Sequence, residues 1–284
     1  MPDGIADDGL CYNNSRAVVA PTYRIVWTYV RRIRRLSMSS PLTPLVLITN
    51  AVPDEVLAPL KGLARVVLGP AGGDLMPRAE VLRLAPELAG IVNQAELRVD
   101  SELLDRAPRL RVVANVSIGV NNLDLTLMQR RGIYATNVPH AFVDSTADFT
   151  LSLLLAVARK IPEADAYVRA GQWRSFQPGV WDGTLLKGKI LGLIGYGAIG
   201  QAVAHRARSF GMNILFHQRT RVDHPDYASL DDLLQAADIV SLHLPLNDDS
   251  ERLISETGFA RMKRGALFVN ASRGRIVDES ALVE

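Results

Sequence analysis

LKGKILGLIGYGAIGQAVAHRARSFGM, residues 186–212, decides the fold. Inside it the apolar run LGLI leads directly into Gly195-Tyr196-Gly197-Ala198-Ile199-Gly200, and a helical pattern continues from Ile199 to Phe210. A strand, a G-x-G-x-x-G turn and a helix in that order aim backbone N–H groups and the positive helix end at a pyrophosphate. Gly195 permits the tight turn, Gly197 lets phosphates approach the backbone, and Gly200 lets helix and strand pack closely. All six residues are therefore candidate contacts of a dinucleotide.

Downstream, the spacing predicts strands at Asn213–Phe216, Ile239–Leu244 and Ala266–Val269, with helices at Leu230–Ala236 and Glu256–Met262 and another opening at Asp278. The second strand runs into His217, Gln218, Arg219 and Thr220. An NAD-binding unit usually places an acid here, about 20 residues beyond the loop, to hold the ribose 2′-OH. No acid is present. Arg219 can form a charge-assisted hydrogen bond with a 2′-phosphate and Thr220 can add a hydroxyl, so NADP(H) is favoured over NAD(H), with His217, Arg219 and Thr220 at the ribose end.

Upstream, short β-branched runs alternate with helical segments, the pattern of a parallel sheet with crossover helices. Strands are expected at Leu45–Thr49, Arg65–Leu68, Ala89–Val92, Arg111–Ala114 and Ile133–Ala135, and helices at Asp54–Leu60, Arg78–Leu84, Ser101–Ala107 and Leu123–Arg130. A long helix from about Asp144 to Lys160 follows, with Leu151, Leu154, Leu155 and Ala158 on one face. The segment after it, holding Trp173, Pro178, Trp181 and Gly183, is rich in turn residues. The expected organisation is an α/β chain with two domains and two parallel sheets, divided at 43–143 and 144–284. Residues 1–42 read as a disordered extension, with Met38 as the simpler initiator: they have no clear period, and Asp3, Asp7 and Asp8 do not suit a mitochondrial presequence.

The chain has 284 residues, 32 basic against 30 acidic, and a net charge of +2. So even a balance argues against a nucleic-acid or anionic-membrane partner. Its one cysteine, Cys11, supplies neither a disulfide nor a cysteine-rich metal site, and a reducing cytoplasm is the simplest compartment. The longest apolar run, from Phe149 to Ala158, falls well short of the roughly 20 residues a membrane span needs.

From Leu45 to Glu284 the sequence resembles the D-isomer-specific 2-hydroxyacid dehydrogenases. The resemblance rests on VSIGVNNLDL (116–125), GIYATNVP (132–139), STADFTLSLLLAVAR with the RAGQW after it, the 186–212 segment, LHLPL (242–246) and MKRGALFVNASRGRIVDESAL (262–282), in that order. It implies a Rossmann-type cofactor domain, a flavodoxin-like substrate domain, and reversible reduction of a 2-keto acid to a D-2-hydroxy acid. The arginine-bearing end of the second strand is similar to the glyoxylate and hydroxypyruvate reductase branch.

The resemblance also implies roles. Arg273, in NASRG, matches the catalytic arginine, whose planar fork suits a keto acid and stabilises charge growing on its oxygen. Ile118 and Gly119 match the loop whose backbone N–H groups bind the substrate carboxylate, although Asn121 replaces the aspartate common two residues beyond that glycine. Pro245 and Ala271 are implied to line the cofactor site. A histidine that protonates the keto oxygen, with a supporting glutamate, lies C-terminal to VDESAL in the family, so the reading treats the chain as C-terminally truncated and inactive as written. The five histidines present, His140, His205, His217, His224 and His243, each read as a core or surface imidazole rather than a replacement. A homodimer built on the linker helix and the Trp173–Trp181 segment is implied as well, and no metal. The alternative is a dinucleotide-binding protein without turnover that acts through partners, like the corepressors that resemble this family.

Overall fold

The computed structural model describes residues 43–72, 74–94 and 97–284, so the reading of residues 1–42 lies outside the described residues. The first sheet holds β1 (Leu45–Ile48), β2 (Arg65–Leu68), β3 (Leu88–Asn93), β4 (Val112–Asn115) and β5 (Tyr134–Thr136), all parallel, in the order β2-β1-β3-β4-β5. That is the doubly wound order of flavodoxin-like sheets. Side chains alternate between the two faces, as a pleated strand requires. Leu45 and Leu47 join Leu88, Leu104, Val113 and Met128 on one face, while Val46 and Ile48 join Val92 and Ala114 on the other.

Helices α1 (Asp54–Leu57), α2 (Arg78–Leu84), α3 (Ser101–Arg106) and α4 (Leu125–Arg130) connect these strands. Asp124 accepts a hydrogen bond from the Leu127 amide at 2.9 Å, so α4 starts two residues later than the sequence spacing suggests. Leu123 stays outside the helix and is buried. The Asp54–Leu60 segment is likewise split, finishing as a 3-10 turn over Ala58–Leu60 where Pro59 interrupts the ladder.

Two helices, α5 (Val143–Ala158) and α6 (Ile161–Arg169), then lead to the second sheet. The sequence reading has a single helix here followed by turns. Lys160 takes the left-handed conformation, with φ of 53°, and ends the first helix; Pro162, tolerated in a first turn, starts another.

The second sheet contains β6 (Ile190–Ile194), β7 (Asn213–His217), β8 (Ile239–Leu242) and β9 (Leu267–Asn270), parallel and ordered β7-β6-β8-β9. Its helices are α7 (Ala198–Ser209), α8 (Leu230–Ala236), α9 (Glu256–Arg261) and α10 (Glu279–Val283). Ala147, Leu151, Leu154 and Ala158 of α5 share one buried cluster with Leu191, Leu193, Val203 and Phe216. Arg206 of α7 reinforces this packing by pairing with Asp144 at 2.9 Å and Asp148 at 2.6 Å. From β6 the chain turns first to β7 on one side and then to β8 on the other, which opens a crevice above the carboxyl ends of β6 and β8.

Candidate active site

The floor of that crevice is the glycine turn between β6 and α7. Gly195 has φ of +99°, and a Cβ there would collide with the His243 carbonyl, so only glycine fits. At Gly200 a Cβ would strike the Gly195 carbonyl, which sets the close approach of helix to strand. Gly197 differs: a Cβ would meet nothing within 4 Å, so its backbone faces open space. It is also the N-cap of α7 and supplies no side-chain cap, which leaves the first-turn N–H groups for a ligand. Open space over an uncapped helix start fits the pyrophosphate of a dinucleotide. The Tyr196 ring points away from that space and stacks on Phe216, with centroids 3.9 Å apart and planes within 9°, so only its backbone is available there.

At the end of β7, Nδ1 of His217 lies 3.1 Å from the Ala228 carbonyl and Arg219 is 81% exposed. Arg219 donates to Asp249, at 2.9 Å, in the loop after β8. That loop is internally tied. The Ser250 hydroxyl donates to the Pro245 carbonyl at 2.7 Å and accepts from the Asn247 amide at 2.9 Å.

Arg273 follows β9. Asn270 receives the Ser272 amide at 2.9 Å and donates its own amide group to the Arg273 carbonyl at 2.9 Å. The Ser272 hydroxyl donates to the Leu242 carbonyl at 2.7 Å and accepts from the Leu244 amide at 3.1 Å, stitching the ends of β8 and β9 together. The arginine that emerges is exposed, and among the described residues no carboxylate pairs with it.

The first sheet presents its own loop to this arginine. After β4 the Ser117 carbonyl accepts from the Val138 amide at 3.0 Å and the Ile118 carbonyl from Asn137 at 2.9 Å. The Gly119 carbonyl accepts from both Asn115, at 2.9 Å, and the Ser117 hydroxyl, at 2.6 Å. With three successive carbonyls tied back, the N–H groups of Ile118 and Gly119 have no acceptor among the described residues. A Cβ on Gly119 would lie 2.8 Å from Nη2 of Arg273, which brings the loop and the guanidinium together across the two sheets.

Sequence reasoning missed the asparagines that hold this loop. Asn115, 1% exposed, also donates to the Ser117 hydroxyl at 2.7 Å and to Asn122 at 3.2 Å. Asn122 donates back to Asn115 at 3.0 Å and to the Leu97 carbonyl at 3.1 Å. The clue available was a polar residue closing an otherwise apolar strand, VVAN.

His243 lies half-buried beside the glycine turn, its Nε2 3.0 Å from the Ser241 hydroxyl, and burial pushes its pKa down to about 4. It is a neutral imidazole at physiological pH. Among the described residues no three His, Cys, Asp or Glu side chains converge to hold a metal, and no helix is long and apolar enough to cross a membrane.

Residues 151–284 match the profile of the D-isomer specific 2-hydroxyacid dehydrogenase NAD binding domain. A glyoxylate reductase from Thermococcus kodakarensis is 40% identical over 253 residues, which cover 86% of this chain and 76% of that one. The chain belongs to this family. The crystal structure of the TT0316 protein from Thermus thermophilus superposes with a TM-score of 0.80 at 42% identity, covering 84% of this chain and 77% of that one. A D-lactate dehydrogenase from Aquifex aeolicus, complexed with NAD and lactic acid, superposes at 0.72 with 26% identity, covering 84% and 72%. The chemistry of the family member described here is therefore oxidoreduction between a 2-keto acid and a 2-hydroxy acid with a nicotinamide dinucleotide, and the non-catalytic alternative is not favoured.

Proposed function

We propose that the protein reduces a small 2-keto acid of the glyoxylate or hydroxypyruvate type to the D-2-hydroxy acid, with NADP(H) preferred over NAD(H). The observation that carries this reading is the Gly119 loop facing Nη2 of Arg273, whose guanidinium donates from Nη1 to the Ser272 carbonyl at 3.0 Å and has no carboxylate partner among the described residues. The free N–H groups of Ile118 and Gly119 receive the substrate carboxylate, and Arg273 donates to the keto oxygen. The backbone from Gly195 to Gly200 holds the pyrophosphate, with Pro245 and Ala271 beside it and His217, Arg219 and Thr220 at the ribose. The nicotinamide, when bound, supplies the hydride that adds to the keto carbon. Arg273 then stabilises the negative charge that grows on the oxygen. Because a guanidinium does not deprotonate near neutral pH, a separate acid delivers the proton that completes the hydroxyl.

The preference for NADP(H) is supported by the basic and hydroxyl side chains after β7, where a ribose-binding acid would repel a 2′-phosphate. We also propose a homodimer that covers Trp173, 55% exposed, and Phe176, 81% exposed. A cytoplasmic setting accords with the lone cysteine.

Arg273→Lys tests the reading. Lysine keeps the charge and loses the bidentate geometry, so affinity for oxamate, a non-reacting keto-acid analogue, falls at least about tenfold in the NADPH-loaded protein. NADPH affinity stays within about twofold. Unchanged oxamate binding overturns the assignment.

A further inference from the structure

The ion pair at the adenosine end of the crevice is unlike the surface pairs elsewhere, because it joins the two lips of the switch point. Arg219 lies two residues past the end of β7, and Asp249 lies in the loop after β8. Asp249 stands on a turn fixed by the buried Ser250, whose amide donates to Asn247 at 3.0 Å, whereas Arg219 reaches across on a long side chain. Among the described residues, Arg219 is the only cation paired with Asp249.

We propose that Asp249 is a specificity-determining residue that competes with the cofactor 2′-phosphate for the Arg219 guanidinium, and so holds the NADP(H) preference below what Arg219 alone would give. The proposal rests on the reading that Arg219 receives that phosphate. The physical argument is an exchange of anions at one fork. Binding a 2′-phosphate breaks the Arg219–Asp249 pair and leaves the Asp249 carboxylate without its cation. A 2′-hydroxyl imposes neither cost and can donate a hydrogen bond to the carboxylate. Asp249 therefore weakens one cofactor and spares the other.

The test uses the full chain and measures binding of NADPH, NADH and the fragment 2′,5′-ADP by titration. Asp249→Asn should tighten NADPH and 2′,5′-ADP about two- to fivefold at low salt, the range an exposed charge pair commands, and leave NADH within twofold. High salt should shrink the gain, because both groups are exposed. In an Arg219→Ala background the gain should vanish. If Arg219→Ala weakens 2′,5′-ADP but Asp249→Asn changes nothing, the role of Asp249 is overturned and the cofactor reading stands. If Arg219→Ala changes neither NADPH nor 2′,5′-ADP, the cofactor reading falls and takes this proposal with it. A gain that persists without Arg219 means simple repulsion and overturns the competition.

Discussion

Gly119 and Arg273 face each other so closely that a Cβ on the glycine would stand 2.8 Å from Nη2 of the arginine and 3.2 Å from Oδ1 of Asn121. The nearest obstacle is the tip of a flexible side chain rather than backbone, so Gly119→Ala should fold normally while pushing the guanidinium aside. We expect oxamate affinity to drop by about tenfold or more, since displacements of about 1 Å at reacting groups carry large penalties. The melting temperature should move by no more than about 2 °C. Unaltered oxamate binding would show that the two residues do not share a ligand.

The glycine turn offers a matched pair of substitutions. Gly197→Ala adds a methyl group into open space, so stability should hold while dinucleotide affinity falls, because the methyl group occupies the approach to the backbone. Gly200→Ala drives a methyl group into the Gly195 carbonyl and should cost about 1–3 kcal/mol of stability through overpacking. Urea unfolding and NADPH titration on both variants separate the two effects. Equal behaviour of the pair would contradict the geometry.

Asn115→Ala removes a buried amide that donates to three partners. Loss of about 1–3 kcal/mol in chemical denaturation follows from leaving buried polar groups unmet. Left with the Ser117 hydroxyl as its one donor, the Gly119 carbonyl should also be held less firmly, so oxamate binds more weakly even under conditions where the variant is fully folded. A loss of stability with oxamate affinity intact would restrict Asn115 to a purely structural role.

His243 makes stability depend on pH. Burial lowers its pKa to about 4 from the ordinary 6.5, so the unfolded chain takes up the proton first as pH falls. The native state is unpenalised above pH 6.5 and loses stability as pH drops toward 4, by roughly 2 kcal/mol between pH 7.5 and 5 for this group. His243→Gln should flatten that part of the profile, as read by urea midpoints across the range. An identical slope in the variant would exclude His243 as its source.

Much of this architecture was legible because its signals are local. A strand, three glycines and a helix are contiguous at 190–210, and the unbroken apolar run LVLI announces a strand buried on both faces. The candidate loop at Ile118 and Gly119, and Arg273, lie in recognisable motifs, but the 2.8 Å approach joins residues more than a hundred positions apart and has no sequence signature. Asn115 was invisible for a related reason. Its partners include a backbone carbonyl, and an asparagine closing a strand reads as a turn residue. The pairing of Arg219 with Asp249 spans thirty positions and depends on the order of β6, β7 and β8 in space. The extra helix α6 was hidden by Pro162, which marks a break and a beginning equally well.

The attachment of α5 to the second sheet has a mechanical consequence. Its buried face packs against α7 and the second sheet, and its two acids pair with Arg206, so α5 is fastened to the helix that opens on the cofactor turn. Within residues 43–284 the backbone passes from one sheet to the other once, between β5 and α5. A swing of one sheet against the other would bend this stretch of backbone at residues 137–142. Asn137 and Val138, at the near end of that stretch, are the same residues that grip the Ile118 and Ser117 carbonyls, so the stretch is anchored directly to the loop that approaches the guanidinium.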